Sequence, residues 1–181
     1  MSVRAIVLAA GQGTRMKSPL PKVLHPIAGR PLVSWVLDAI GGIDPDEIVV
    51  VVGHGADDVR AVLPDGVRAV VQSPQLGTGH AVMTALEAMG SVAGDTVVVA
   101  PGDSPLMRSE TFAELVATHG DAAATLLTTE LPDPTGYGRV IRDGEAVAGI
   151  VEEKDATAAQ REIREVAVST YAFDGSALER A

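Results

Sequence analysis

The sequence predicts an α/β fold, a mostly parallel sheet with helices on both faces, in a chain of 181 residues that has the size of one domain or slightly more. Two observations predict it. Short apolar runs rich in β-branched residues recur along the chain, and segments with apolar residues at helical spacing separate them. Alternation of that kind needs crossover connections, which lay helices over parallel strands.

Val3 to Ala9 reads as the first strand, a bounded apolar run of the kind that is buried on both faces. Pro31 to Ile40 reads as a helix, with proline at its first position and Leu32, Val36, Leu37 and Ile40 along one stripe. Ile48 to Val52 and Val67 to Val71 repeat the strand pattern, Gly79 to Met89 the helical one. Thr96 to Ala100, the helix Ser109 to His119 and the strand Ala124 to Thr129 continue the alternation. Beyond Leu131 the rhythm changes, because Pro132 and Pro134 interrupt it. Gly138 to Ile141 and Ala146 to Val151 flank Asp143-Gly144, which predicts a hairpin lying over one end of the sheet. A polar helix from Thr157 to Arg164 and a last strand, Val166 to Phe173, complete the chain. The sequence shows no internal repeat, no low-complexity tract and no linker.

Charge and composition narrow the function. Fourteen Lys and Arg against 24 Asp and Glu give a net charge of −10, which opposes nonspecific binding to a phosphate backbone, and no basic block overcomes it locally. A nucleic-acid role is therefore not expected. No run approaches the roughly 20 apolar residues that cross a bilayer, and Ala5 to Ala10 is too short for a signal peptide; a cytoplasmic protein with no membrane partner is expected. The absence of cysteine excludes disulfides, zinc thiolate sites and cysteine nucleophiles. His25, His54, His80 and His119 show no metal-ligand spacing and read as packed or solvated side chains. Nothing in the composition indicates an oligomer.

The most informative stretch is Leu8-Ala9-Ala10-Gly11-Gln12-Gly13-Thr14-Arg15-Met16, directly after the first strand. Glycines in such a loop let the backbone approach a ligand and turn its N–H groups toward anionic oxygens. The dinucleotide fingerprint needs a third glycine where Met16 stands, and the Walker spacing is absent. What remains is a glycine loop followed by Arg15, a planar fork, and Lys22, a compact charge. Together they suit a polyphosphate under attack, and equally a surface turn with two solvated cations. Asp103, just past the strand Thr96 to Ala100, lies at the carboxyl end of the sheet, where open α/β folds bind ligands. It reads as a Mg²⁺ ligand or as a turn aspartate. Gln72 and Gln75 read as amides for a pyrimidine edge or as surface amides, Thr78 as a binding residue or a helix N-cap, and Lys154 as a phosphate ligand or half of a surface ion pair. Tyr137 packs on a sugar or caps its loop.

Leu8 through Leu24 match L-A-A-G-x-G-T-R-M-x-S-x-x-P-K-V-L. Further blocks follow in order: Gln72, Gln75 to Ala81, Gly102 to Leu106, Asp133 to Arg139 and Ile150 to Ala156. By these the chain resembles the sugar-1-phosphate nucleotidyltransferases, and among them the uridyltransferase domains of bifunctional N-acetylglucosamine-1-phosphate uridyltransferase/glucosamine-1-phosphate acetyltransferases. The resemblance implies a Rossmann-like fold of the nucleotide-diphospho-sugar transferase type. The implied reaction joins UTP and N-acetylglucosamine 1-phosphate to give UDP-N-acetylglucosamine and pyrophosphate with Mg²⁺, a step toward peptidoglycan. It implies catalytic cations at Arg15 and Lys22, uridine contacts from Leu8, Ala9, Ala10, Gly11, Gln72, Gly77 and Thr78, sugar-phosphate contacts from Gly138, Glu152 and Lys154, and metal at Asp103. A sugar phosphate is already a competent nucleophile, so positioning and charge neutralisation suffice and no catalytic triad is needed.

Three departures from that pattern stand out. Where the family carries E-V-N-x-G, with the asparagine on the sugar, this chain reads Glu165-Val166-Ala167-Val168-Ser169. Pro101 stands where the family has an aromatic or aliphatic residue. The second metal ligand of the family falls beyond residue 181, so residues 1–181 are expected to form a single, C-terminally incomplete domain. Hexapeptide repeats are missing from it, so no acetyltransferase β-helix is expected there. Binding of a nucleotide or UDP-sugar without turnover, or use of another nucleotide and acceptor, are the alternative readings.

Overall fold

The structure is a computed structural model that describes residues 2–11, 13 and 16–181. The elements run β1 (Val3–Ala9), β2 (Pro26–Ile27), β3 (Arg30–Pro31), α1 (Leu32–Gly41), β4 (Glu47–Val52), α2 (Ala56–Arg60), β5 (Arg68–Val71), α3 (Thr78–Met89), β6 (Thr96–Pro101) and α4 (Ser109–His119). Then come β7 (Ala124–Glu130), β8 (Arg139–Asp143), β9 (Ala146–Val151), α5 (Ala158–Arg161), β10 (Glu165–Asp174) and α6 (Gly175–Leu178). They form two compact units, Met1–Thr125 with Tyr171–Ala181, and Leu126–Thr170.

In the first unit β5, β4, β1 and β6 lie side by side in that order, all parallel, and Tyr171–Asp174 of β10 run antiparallel along β6. The two-residue period of a strand sorts side chains onto opposite faces. Ala5, Val7, Val50, Val52, Val98 and Ala100 join Val33, Val36 and Ile40 of α1, Val59 of α2 and Phe112 of α4 in one core. Ile6, Val49, Val51, Val97 and Val99 face the other way, onto Ala81 and Ala85 of α3, with Leu178 of α6 alongside. Both faces are thus covered, which is why these strands are continuous in valine rather than alternating with polar residues.

The second unit is antiparallel. β8 pairs with β9 and with Val166 of β10, and β7 pairs with β10. The hairpin turn falls one residue later than Asp143-Gly144: Asp143 still pairs with Ala146, so Gly144, at φ 61°, leads a two-residue turn with Glu145. A register shift between Ile141 and Arg142 marks a bulge.

Several local expectations shift. Pro31 is the N-cap of α1, not its first helical residue. The polar helix shrinks to four residues, opened by a capping box in which the Thr157 side chain accepts from Gln160 N–H and the Gln160 side chain accepts from Thr157 N–H. Ala124–Glu130, expected among the buried strands, is half-exposed and pairs with β10 rather than with the parallel set. The β2–β3 hairpin, α2 and α6 were not expected; each is five residues or fewer, too short to display a period. No helix among the described residues is long and apolar enough to cross a membrane.

Candidate functional site

The order β5-β4-β1-β6 means that the chain winds outward from β1 through β4 and β5, then returns to β1's other side with β6. That reversal is a topological switch point, and the crevice beyond the carboxyl ends of the strands there is where such folds place ligands. β1 ends in the glycine loop and β6 ends in Gly102-Asp103. Their ends are tied together because Gly102 N–H donates to Leu8 O at 2.9 Å.

Within the loop each glycine has a different reason. Gly13 has φ +60°, and a Cβ there would fall 2.6 Å from Lys22 Cβ, so only glycine lets the loop pass over the lysine. Gly11 is exposed, and a Cβ built on it meets nothing within 4 Å. Among the described residues, neither packing nor backbone conformation demands glycine there. Leu8 is half-buried, Ala9 and Ala10 are buried, and their main chain carries the loop's geometry. Arg15 lies outside the described residues.

Lys22 opens a short 3-10 helix, Lys22–Leu24, anchored by buried Val23 and Leu24. Its Nζ makes an ion pair with Asp103 Oδ2, and the two side chains are 37% and 25% exposed. The expected phosphate cation and the expected metal ligand therefore meet each other at the switch point. No cluster of three or more His, Asp or Glu suited to a metal occurs among the described residues. A single carboxylate suits Mg²⁺, which keeps most of its waters and adds phosphate oxygens. The Lys22 ammonium already occupies that oxygen, so a cation there would have to displace it.

Both glutamines expected to read a base spend their amide nitrogens on protein. Buried Gln72 donates from Nε2 to Gly77 O at 2.9 Å and lies 3.0 Å from His80 Nδ1. Gln75 donates from Nε2 to Ala10 O at 2.7 Å. Gly77, at φ +100°, is the N-cap of α3, and Thr78 is the first helical residue. The N-cap reading of Thr78 is thus corrected: Gly77 holds that position, and Thr78 is exposed at the first helical one.

In the second unit Gly138, Glu152 and Ala167 converge. Ala167 N–H donates to Gly138 O at 3.1 Å, and a Cβ on Gly138 would lie 2.9 Å from Ile150 Cγ2 and 3.6 Å from Glu152 Oε1. Lys154 is largely exposed, its Nζ 3.9 Å from Asp155 Oδ2. Beneath this surface Arg139, 1% exposed, pairs with Glu153 at 2.6 Å and donates to Tyr137 O. The Arg139 hydrogen bond, helped by Gly136 N–H, holds the Glu153 carboxyl below its ordinary range. Sequence reasoning assigned nothing to Arg139, Glu153 or Gly53; for Gly53 the available signal was a glycine directly after a buried strand.

The fold together with the family match defines a nucleotidyltransferase domain. Residues 5–166 match the family described as the MobA-like NTP transferase domain, and the chain belongs to that family. It is 54% identical over 181 residues to the "Bifunctional protein GlmU" of Streptomyces coelicolor, covering 96% of this chain and 37% of that protein. With the protein of the same name from Halalkalibacterium halodurans it is 49% identical, over 98% of this chain and 39% of the relative. The chain thus spans about two fifths of the length of these curated relatives. A crystal structure of a putative glucose-1-phosphate thymidylyltransferase from Bacillus anthracis, in complex with a sucrose, has the same fold, with a TM-score of 0.79 at 20% identity over 98% of this chain and 74% of that one.

Proposed function

We propose that the chain transfers a uridylyl group from UTP to N-acetylglucosamine 1-phosphate, in the cytoplasm. A phosphate oxygen of the sugar ester attacks the α-phosphorus of UTP, the bond to the bridging α–β oxygen breaks, and pyrophosphate leaves. The observation that carries the proposal is the Lys22–Asp103 pair beside the glycine loop at the switch point. Lys22 would hold phosphate oxygens and offset the charge that builds up at the reacting phosphorus, and the Gly11 N–H, left uncrowded by any side chain, would donate to a phosphate oxygen at close range. Asp103 is the residue that would hold Mg²⁺, which supplies charge neutralisation to the polyphosphate when bound. Gly138 and Glu152 support a sugar-phosphate site in the second unit, and Lys154 is free enough to swing toward a phosphate.

Incubation with UTP, Mg²⁺ and N-acetylglucosamine 1-phosphate is expected to release pyrophosphate, and Lys22→Ala to slow release by about 10²-fold or more, as loss of one transition-state donor does. Absence of release with this and every other nucleotide and sugar-phosphate pair ends the proposal. Ala167 favours a second reading, binding of a UDP-sugar without turnover or use of another acceptor, because an alanine beside Gly138 offers no side-chain hydrogen bond. Calorimetry that detects UDP-sugar binding in a protein giving no product would select it.

A further inference from the structure

Gln75 lies 65 positions from Ala10, on the loop between β5 and α3, yet its side chain reaches back to the glycine loop. Its Nε2 donates to Ala10 O at 2.7 Å. The amide passes directly over Gly53, where a Cβ would stand 2.1 Å from Gln75 Nε2 and 2.8 Å from Ala10 O. The bare backbone after β4 is therefore the slot through which the glutamine reaches. The bond fixes more than a carbonyl. A planar trans peptide points its C=O and the following N–H in opposite directions, and the peptide between Ala10 and Gly11 is trans. Holding Ala10 O toward Gln75 thus aims the Gly11 N–H away from Gln75, on a residue that is itself exposed and whose Cβ position is open. Glycine at the next position makes the opposite orientation of this peptide easy to reach, so an unrestrained loop would lose that donor part of the time.

We propose that Gln75 is a positioning residue that locks the Ala10–Gly11 peptide with its N–H presented to a nucleoside triphosphate, and that Gly53 is glycine to let it do so. The inference rests on the nucleotide site proposed above. Gln75 touches no substrate in this role; it acts through the Gly11 amide.

Two variants test it. Gln75→Met keeps the length and removes the donor, and Gln75→Glu keeps the shape and sets a carboxylate against a carbonyl. Metal-free UTP binding by calorimetry is read beside the ¹⁵N–¹H resonance of Gly11 and the urea midpoint. UTP is expected to shift the Gly11 amide in the unmodified protein. Both variants should bind UTP about five- to tenfold more weakly, as loss of one hydrogen bond dictates, with the Gly11 shift reduced and the urea midpoint unchanged. Equal UTP affinity in the unmodified protein and both variants overturns the lock and leaves the nucleotide site standing. Weaker binding with an unaltered Gly11 shift also overturns it, because the effect then reaches UTP by another route. If the unmodified protein binds neither UTP nor any other nucleoside triphosphate, the nucleotide site fails and the lock fails with it.

Discussion

Ser169 stands in the left-handed region at φ 56°, a conformation that costs a residue with a side chain about 1 kcal/mol or more. The family motif places glycine at this position of E-V-N-x-G. Ser169→Gly should therefore raise stability by about 0.5–1 kcal/mol, read as a higher urea midpoint; a lower midpoint would mean that the serine hydroxyl contributes more than the strain removes. Lys22 and Asp103 pose a different balance. The ammonium sits on the carboxylate that would hold metal, so in the absence of nucleotide it competes with a divalent cation for the same oxygen. Removing it with Lys22→Met should strengthen Mn²⁺ binding to the nucleotide-free protein about two- to fivefold, the range that partly exposed ion pairs cover, as measured by the electron paramagnetic resonance of free Mn²⁺. An unchanged affinity would show that Asp103 is not where the ion binds.

Ion pairs link the antiparallel elements of the second unit. β8 supplies Arg139, which engages Glu153, and Arg142, which makes two bonds to Glu165 of β10 at 2.8 and 2.5 Å. Arg139 is buried, so its partner cannot be lost without leaving a desolvated charge. The hydrogen bond from Arg139 lowers the Glu153 pKa, and that from Arg142 lowers the Glu165 pKa. A carboxylate whose folded pKa lies below its unfolded one contributes stability that is fully present above the unfolded value, about 4.3 for glutamate. That contribution disappears as the pH falls through the folded value. Stability should therefore decline below about pH 4.5. Glu153→Gln should lower stability at pH 7 and flatten the decline, while Glu165 keeps part of the slope. Urea midpoints between pH 7 and pH 3 check this, and parallel curves for the two proteins would remove Glu153 from the account.

Across the whole molecule, what was legible in the sequence is what repeats locally. β1 and α4 fall where the apolar pattern places them because seven residues suffice to show a bounded apolar run and eleven a helical period. α2 and α6 do not, and the antiparallel run of β10 beside β6 depends on a pairing that no local pattern encodes. The same holds for the site: Lys22, Asp103 and the glycine loop are visible as residue types in order, but the Gln75–Ala10 bond and the Lys22–Asp103 pair join distant positions and emerge only when the strand ends meet. That second pair bears on how the proposed nucleotide would approach the molecule as a whole. The chain carries a net charge of −10, and Lys22, already matched by Asp103, adds little attraction at long range. At about 0.01 M salt the screening length is roughly 30 Å, so an approaching UTP feels the repulsion of the entire protein; at 0.15 M it is about 8 Å, and only the nearest groups count. Metal-free UTP should therefore associate several-fold faster when salt rises from about 0.01 to 0.15 M, the reverse of the usual behaviour of a polyanion binding to cations. Stopped-flow association rates over that range decide it: a rate that falls instead would show that the cations around the glycine loop outweigh the field of the remaining acidic surface.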